Sequence, residues 1–285
     1  MKISASSYSF QRLLNDGTYT QLSLISKVKE MGFDAIEFVD IMTPSGTTDA
    51  EYAKELRAEC ERVGLEISNF TFGAEFISCE NLRDEISRVK SKIDIAEILG
   101  AKSVRHDATF NPAGKSFEAC LPILAGACRE ITEYAAAKGI RTMIENHGYF
   151  CQDSHRVEKL ACAVSHPNFG LLCDMGNFLC ADENPAEAFG IVAPFAFYVH
   201  AKDFHIKSGE GTDPGEGFFR SRGGNYLRGS IVGHGNVPIK SCLYALKHIN
   251  YKGMIAIEFE GMEDNITAMQ IGLNNLRRYI NEIGL

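Results

Sequence analysis

Apolar residues recur along this chain in two alternating rhythms. Windows such as Tyr52, Leu56, Cys60 and Val63, or Ile86, Val89, Ile93 and Ala96, repeat near 3.6 residues and give a single apolar stripe. Each window predicts an amphipathic helix laid against a sheet. Short β-branched runs follow, and a glycine suited to a left-handed helix end precedes five of them. Gly32 leads Phe33 to Glu37, Gly64 leads Leu65 to Asn69, Gly100 leads Ala101 to Arg105, Gly139 leads Ile140 to Glu145, and Gly253 leads Met254 to Glu258. Lys2 to Ser6, Phe169 to Cys173 and Phe195 to Val199 bring the predicted strands to eight.

Strands alternating with helices imply parallel pairing and right-handed crossovers. Eight units fit an α/β fold closed as a (β/α)8 TIM barrel better than an open doubly wound sheet, because no G-x-G-x-x-G phosphate loop follows the first strand. With 285 residues and 45% hydrophobic side chains, residues 1–285 read as a single domain. One interval is out of scale. From Glu145 to Asp174 and from Asp174 to His200 the chain runs 29 and 26 residues, but from His200 to Glu258 it runs 58, so a rim loop is inserted at about 204–236.

Active sites of such barrels lie at the C-terminal ends of the strands. The residues expected there are Glu37, Asn69, Arg105, Glu145, Asp174, His200 and Glu258, all polar. Taken singly, Glu145 or Glu258 reads equally well as a solvated loop residue, and His200 as a core histidine with its hydrogen bonds satisfied. Taken together, carboxylates and an imidazole converging from four successive strands would repel and desolvate one another unless a cation held them. The set suits a divalent metal, manganese first, with magnesium, cobalt or zinc as alternatives.

Four short motifs carry these residues in order: Ile144-Glu145-Asn146-His147, Cys173-Asp174-Met175-Gly176-Asn177, His200-Ala201-Lys202-Asp203 and Ile257-Glu258-Phe259-Glu260. Through them the sequence resembles, nearly end to end, the xylose isomerase-like superfamily of sugar isomerase and epimerase barrels. The resemblance implies that Glu145, Asp174, His200 and Glu258 bind the metal and that Glu145 and Glu258 exchange a substrate proton. The implied activity is a sugar isomerase or epimerase that abstracts a proton next to a carbonyl through a metal-stabilised enediolate. Two departures bear on the substrate. Many members carry histidine where this chain has Asn177, which hydrogen-bonds but does not titrate. His147 lies two residues beyond Glu145, so strand alternation puts both on one side and makes His147 a further candidate base.

Arg105 and Lys202 are placed to touch a substrate, and Tyr8 and Glu37 to orient its hydroxyl groups. The insertion is basic and glycine-rich, and His205, Arg220 and Arg222 within it are candidate grips for a carboxylate or phosphate of an anionic sugar. Such a loop reads as a lid over the mouth, or equally as rim cover or a subunit contact. The competing reaction keeps the metal and expels a leaving group. It would be a lyase or dehydratase, or a C-glycoside deglycosylase, acting on an oxidised (3-oxo) sugar or an inositol.

A net charge of −8 argues against nucleic acid as a partner, and with eight scattered histidines against the related apurinic-site endonucleases. The nine cysteines form no Cys-x-x-Cys pair and read as reduced, mostly packed thiols. The N-terminus lacks the pattern of a secretory signal, and no run of about twenty apolar residues occurs, so a cytoplasmic protein away from membranes is expected. Apolar positions on outer helix faces are compatible with a homo-oligomer. A metal-free binding protein is the reading that elemental analysis would separate from all of these.

Overall fold

The computed structural model describes residues 1–285. Its strands are β1 (Ile3–Ser6), β2 (Ala35–Val39), β3 (Glu66–Phe72), β4 (Ser103–His106), β5 (Arg141–Glu145), β6 (Phe169–Asp174), β7 (Ala196–Ala201), β8 (Asp203–Lys207), β9 (Phe219–Arg220), β10 (Tyr226–Ser230) and β11 (Ile255–Ile257). Eight of them close a parallel barrel in the order β1-β11-β7-β6-β5-β4-β3-β2. All eight expected strands are present, and the chain is a TIM barrel.

The helices between them form for the reasons their sequence gives. Helix Asp49–Val63 starts at a reciprocal cap between Thr48 and Glu51 and stops at Gly64, whose φ is 67°. It buries Tyr52, Leu56 and Cys60 against the barrel, as the 3.6-residue stripe requires. Helix Leu82–Leu99 runs from Asn81, which caps it, to Gly100 and buries Ile86, Val89, Ile93 and Ala96. Gly253 departs from this scheme. The preceding helix ends at His248, and the left-handed residue after it is Asn250, with φ 57°. Gly253 is instead a matter of space, since a Cβ there would lie 2.2 Å from the Tyr251 hydroxyl oxygen.

Inside the barrel, Met143, Leu172, Tyr198 and Ala256 form a separate buried apolar cluster. Each stands two residues before one of Glu145, Asp174, His200 and Glu258. Side chains two apart on a strand point the same way, so this cluster is an apolar floor under the four polar groups. The Tyr198 hydroxyl, which would be orphaned in that floor, is paired with Ser68 Oγ at 2.7 Å.

The long interval after β7 is not an unstructured loop. β8, β10 and β9 form a three-stranded antiparallel sheet, in that order, beside the mouth. Asp203 anchors it: its carboxylate accepts backbone N–H bonds from Phe204, Gly233, Gly235 and Val237 at 2.9 to 3.0 Å, joining both ends of the insertion. No helix is long and apolar enough to cross a membrane. None of the nine cysteines is paired, and seven are buried.

Candidate functional site

The ends of β5, β6, β7 and β11 bring one ligand atom each from Glu145, Asp174, His200 and Glu258 to within 4.8 Å of one another. His200 Nδ1 faces the group, 3.6 Å from Glu145 Oε1, 3.7 Å from Asp174 Oδ2 and 3.5 Å from Glu258 Oε2. The neighbours of each residue fix which atom is offered. His200 Nε2 lies 3.0 Å from Glu37 Oε1, and Glu37 Oε2 accepts from Asn69 Nδ2 at 2.9 Å. Glu37 thus orients the imidazole and leaves Nδ1 facing inward, the arrangement typical of metal-binding histidines. Asp174 Oδ1 accepts the N–H groups of Gly176 and Asn177 at 2.8 and 2.7 Å, which leaves Oδ2. Asn146 ties the two strand ends together, its side chain donating to Asp174 O and accepting from Asp174 N.

Asp174 Oδ2 and His200 Nδ1 are buried and have no hydrogen-bond partner. Two orphaned atoms of complementary chemistry, aimed at the same point among three carboxylates, are the signature of a site completed by a cation. Proton affinities lean the same way. Burial raises the Asp174 carboxyl to about 7, with Glu145 and Glu258 adding to the rise and Lys202 opposing it. Burial would lower His200, but the carboxylates of Glu37 and Glu258 hold it well above the usual imidazole range. Without an ion the cluster retains protons, and a divalent cation supplies the same positive charge.

Two fixed cations flank the cluster. Arg105 Nη2 lies 2.6 Å from Glu145 Oε2; burial would raise the Glu145 carboxyl, but Arg105 and His200 together hold it low, at about 2. Lys202 Nζ lies 2.6 Å from Glu258 Oε2 and donates to Asn177 Oδ1 at 3.1 Å. Asn177 in turn donates to Glu145 Oε1 at 3.0 Å, so it bridges the two flanks of the site with fixed hydrogen bonds where a histidine would titrate. Above the cluster opens a cavity of about 180 Å³ lined by Tyr8, Thr71, Arg105, Glu145, His147, Lys202, Glu258 and Glu260, with Val39.

The structure brings Tyr8, Arg105, Glu145, His147, Lys202 and Glu258 to this cavity, with Asp174, Asn177 and His200 buried at the cluster. Four of the residues expected to meet substrate have other partners or positions in the structure. Glu37 is fully buried, with its carboxylate engaged by His200 and Asn69. His205, on β8, does not line the cavity. Arg220 donates to Gly224 O at 2.8 Å and stacks on Tyr226 at 3.9 Å. Arg222 is held by Asp153 at 3.1 Å and by the Tyr149 carbonyl. Arg220 thus satisfies a carbonyl of the insertion's own turn, and Arg222 ties the insertion to the segment that follows β5.

Three site residues escaped the sequence reading. Thr71 was lost because β3 runs to Phe72, three residues past its expected end. Asp107 stands two residues past Arg105, and Glu260 two past Glu258. The alternation that singled out His147 from Glu145 finds both.

The family model described as xylose isomerase-like TIM barrel matches residues 25–279. The chain belongs to that family. The protein YihM of Escherichia coli (strain K12) is 26% identical over 155 residues, which are 54% of this chain and 43% of that protein. The chain thus matches less than half the length of this relative. Among solved structures, the barrel superposes with TM-score 0.74 on the probable 3-DHS dehydratase AsbF from Bacillus anthracis, at 17% identity over 97% of this chain and 99% of that one. It superposes with TM-score 0.72 on D-psicose 3-epimerase with D-tagatose from Clostridium cellulolyticum H10, at 15% identity over 98% and 99% of the two chains. At these identities the likeness is one of fold.

Proposed function

We propose that the chain is a divalent-metal-dependent sugar isomerase or epimerase. The observation that carries this reading is the pair of inward-facing orphaned atoms, Asp174 Oδ2 and His200 Nδ1, between two glutamates that each rest on a separate buried cation. Glu145, Asp174, His200 and Glu258 would hold the ion, and three carboxylates with one imidazole suit manganese or magnesium. Bound there, a divalent ion supplies positive charge that polarises a carbonyl and lowers the acidity barrier of the neighbouring C–H group.

The chain's own groups then divide the proton work. Glu145 and Glu258 reach the cavity from β5 and from beyond β11, with two barrel strands between them, so one is set to take a proton from carbon and the other to return one. Arg105 and Lys202 hold each carboxylate in place and stabilise its ionised form. His147, at the mouth, is a third titratable group facing the same space. Manganese-loaded protein in D2O should place solvent deuterium on carbon in one of a panel of ketoses and 3-oxo-glycosides, with no net loss of sugar. Glu258→Gln should slow the exchange at least about 100-fold. Absence of exchange with every sugar at full metal loading contradicts the reading.

A second reading is a lyase or dehydratase. It is favoured by His147, which stands outside the four-ligand set with Nδ1 on Asp107 at 3.0 Å and is placed to protonate a leaving group. Release of water or an aglycone in the same assay would establish it.

A further inference from the structure

Exposed apolar side chains gather on the segments that follow the barrel strands, the end at which the polar cavity opens; those beside the cavity we call the collar. Six of the nine large apolar side chains that remain exposed are Tyr8, Met42, Phe110, Tyr149, Phe219 and Met262. All six lie in segments that follow a barrel strand, after β1, β2, β4, β5, β7 and β11 respectively. The collar is continuous with the site. Tyr8 lines the cavity itself, and Phe110 packs edge-on against the cavity residue His147 at 5.6 Å. Gly148 leaves room for the Phe110 ring, which a Cβ there would meet at 2.7 Å. Met262 follows the cavity residue Glu260 by two and lies over Gly217 of the insertion, where a Cβ would come within 2.2 Å of its sulfur.

The occupant of this arrangement must be amphiphilic. At about 180 Å³ the cavity is smaller than the ~300–1,000 Å³ of ordinary ligand pockets. Its wall of carboxylates, arginine and lysine asks for a polyhydroxylated group, and anything longer must lie on the collar. A second copy of the chain is a poor cover, because mouth-to-mouth contact would bring together two chains of net charge −8. Exposed apolar side chains set beside a polar opening, as Tyr8, Phe110 and Met262 are, suit the apolar part of a ligand whose polar part enters it.

We propose that the collar is a subsite for an aromatic group carried by the carbohydrate, so that the substrate class is an aryl-substituted sugar rather than a free one. The proposal rests on the reading of the cavity as a carbohydrate site. It assigns Phe110, Met262 and Tyr8 to specificity, through apolar burial and aromatic contact.

Isothermal titration of manganese-loaded protein with methyl β-D-glucopyranoside and 4-nitrophenyl β-D-glucopyranoside tests it. The aryl glycoside should bind about tenfold more tightly, the worth of roughly one well-made aromatic contact. Phe110→Ala and Met262→Ala, made separately at exposed positions, should each remove most of that advantage. Tyr244→Ala, an exposed aromatic on the outer helix Ile239–His248, should leave the ratio intact. Equal affinity for the two glycosides, binding of neither, or an aryl advantage that survives both substitutions overturns the proposal. So does a concentration-dependent dimer that Phe110→Ala dissolves, since another copy would then cover the collar. Deuterium exchange into a ketose by the same preparation reports separately on the proposed reaction, so its presence without an aryl preference discards the collar alone.

Discussion

Asp107 Oδ1 lies 3.0 Å from His147 Nδ1, while the two Asp107 oxygens also grip Arg105 at 2.9 and 3.0 Å. One buried carboxylate thus orients both a ring at the cavity mouth and the guanidinium that holds Glu145. Asp107→Asn keeps the shape and removes the charge. It should lower kcat/KM by about 10- to 100-fold, a loss of roughly 1.4–2.8 kcal/mol in transition-state stabilisation, with the metal content unchanged. A variant with wild-type kcat/KM would show that this pairing serves packing only.

The cage should also govern stability. A ligand that binds only the folded chain stabilises it by about 2.7 kcal/mol at 100 times its Kd. For a chain of this size that corresponds to a rise in Tm of roughly 5 °C, read by calorimetry with and without manganese. Asp174→Asn should abolish the rise, because Oδ2 is one of the two orphaned atoms. A metal-dependent Tm that persists in Asp174→Asn places the ion elsewhere.

A buried imidazole outside the cage sets an acid limit. His106 packs against Phe72 and Phe76 and bonds the Asp107 carbonyl through Nδ1 at 2.8 Å. Burial lowers its pKa from 6.5 to about 4. The folded state therefore refuses a proton that the unfolded chain accepts, so this contribution is intact above pH 6.5 and is lost progressively as pH falls from 6.5 to about 4. The loss amounts to ~3 kcal/mol. Urea unfolding of His106→Leu should show a flatter decline over that window, whatever its stability at neutral pH. An unchanged slope would contradict the assignment.

The insertion is fastened rather than free. The Asp182 carboxylate accepts from Ser221 Oγ at 2.6 Å, from Asn225 Nδ2 at 2.7 Å and from the Gly223 N–H. Asp182→Ala should expose the 208–225 segment to limited proteolysis while the barrel melts within ~1 kcal/mol of wild type. Unaltered resistance would mean that the sheet of β8, β10 and β9 holds this segment unaided.

What the sequence disclosed follows from which interactions are local. Helix stripes and caps are written within a few residues, and strand ends at equivalent points of a repeated unit share one rim, so the barrel and the set of Glu145, Asp174, His200 and Glu258 were legible. The engagement of Arg220 and Arg222 was not, because their partners, Tyr226, Asp153 and the Tyr149 carbonyl, are decided by how an inserted sheet folds back on the rim. Glu37 illustrates the same limit. Its place on β2 was evident, but its commitment to His200, 163 residues away, depends on closure of the barrel.

Crystals of the protein grown with manganese and measured near the manganese absorption edge would locate the ion itself. One anomalous peak per chain is expected, within about 2.0–2.4 Å of His200 Nδ1, Asp174 Oδ2 and oxygens of Glu145 and Glu258. No peak there at full occupancy of the protein, or a peak bound by other residues while turnover persists, would contradict that placement.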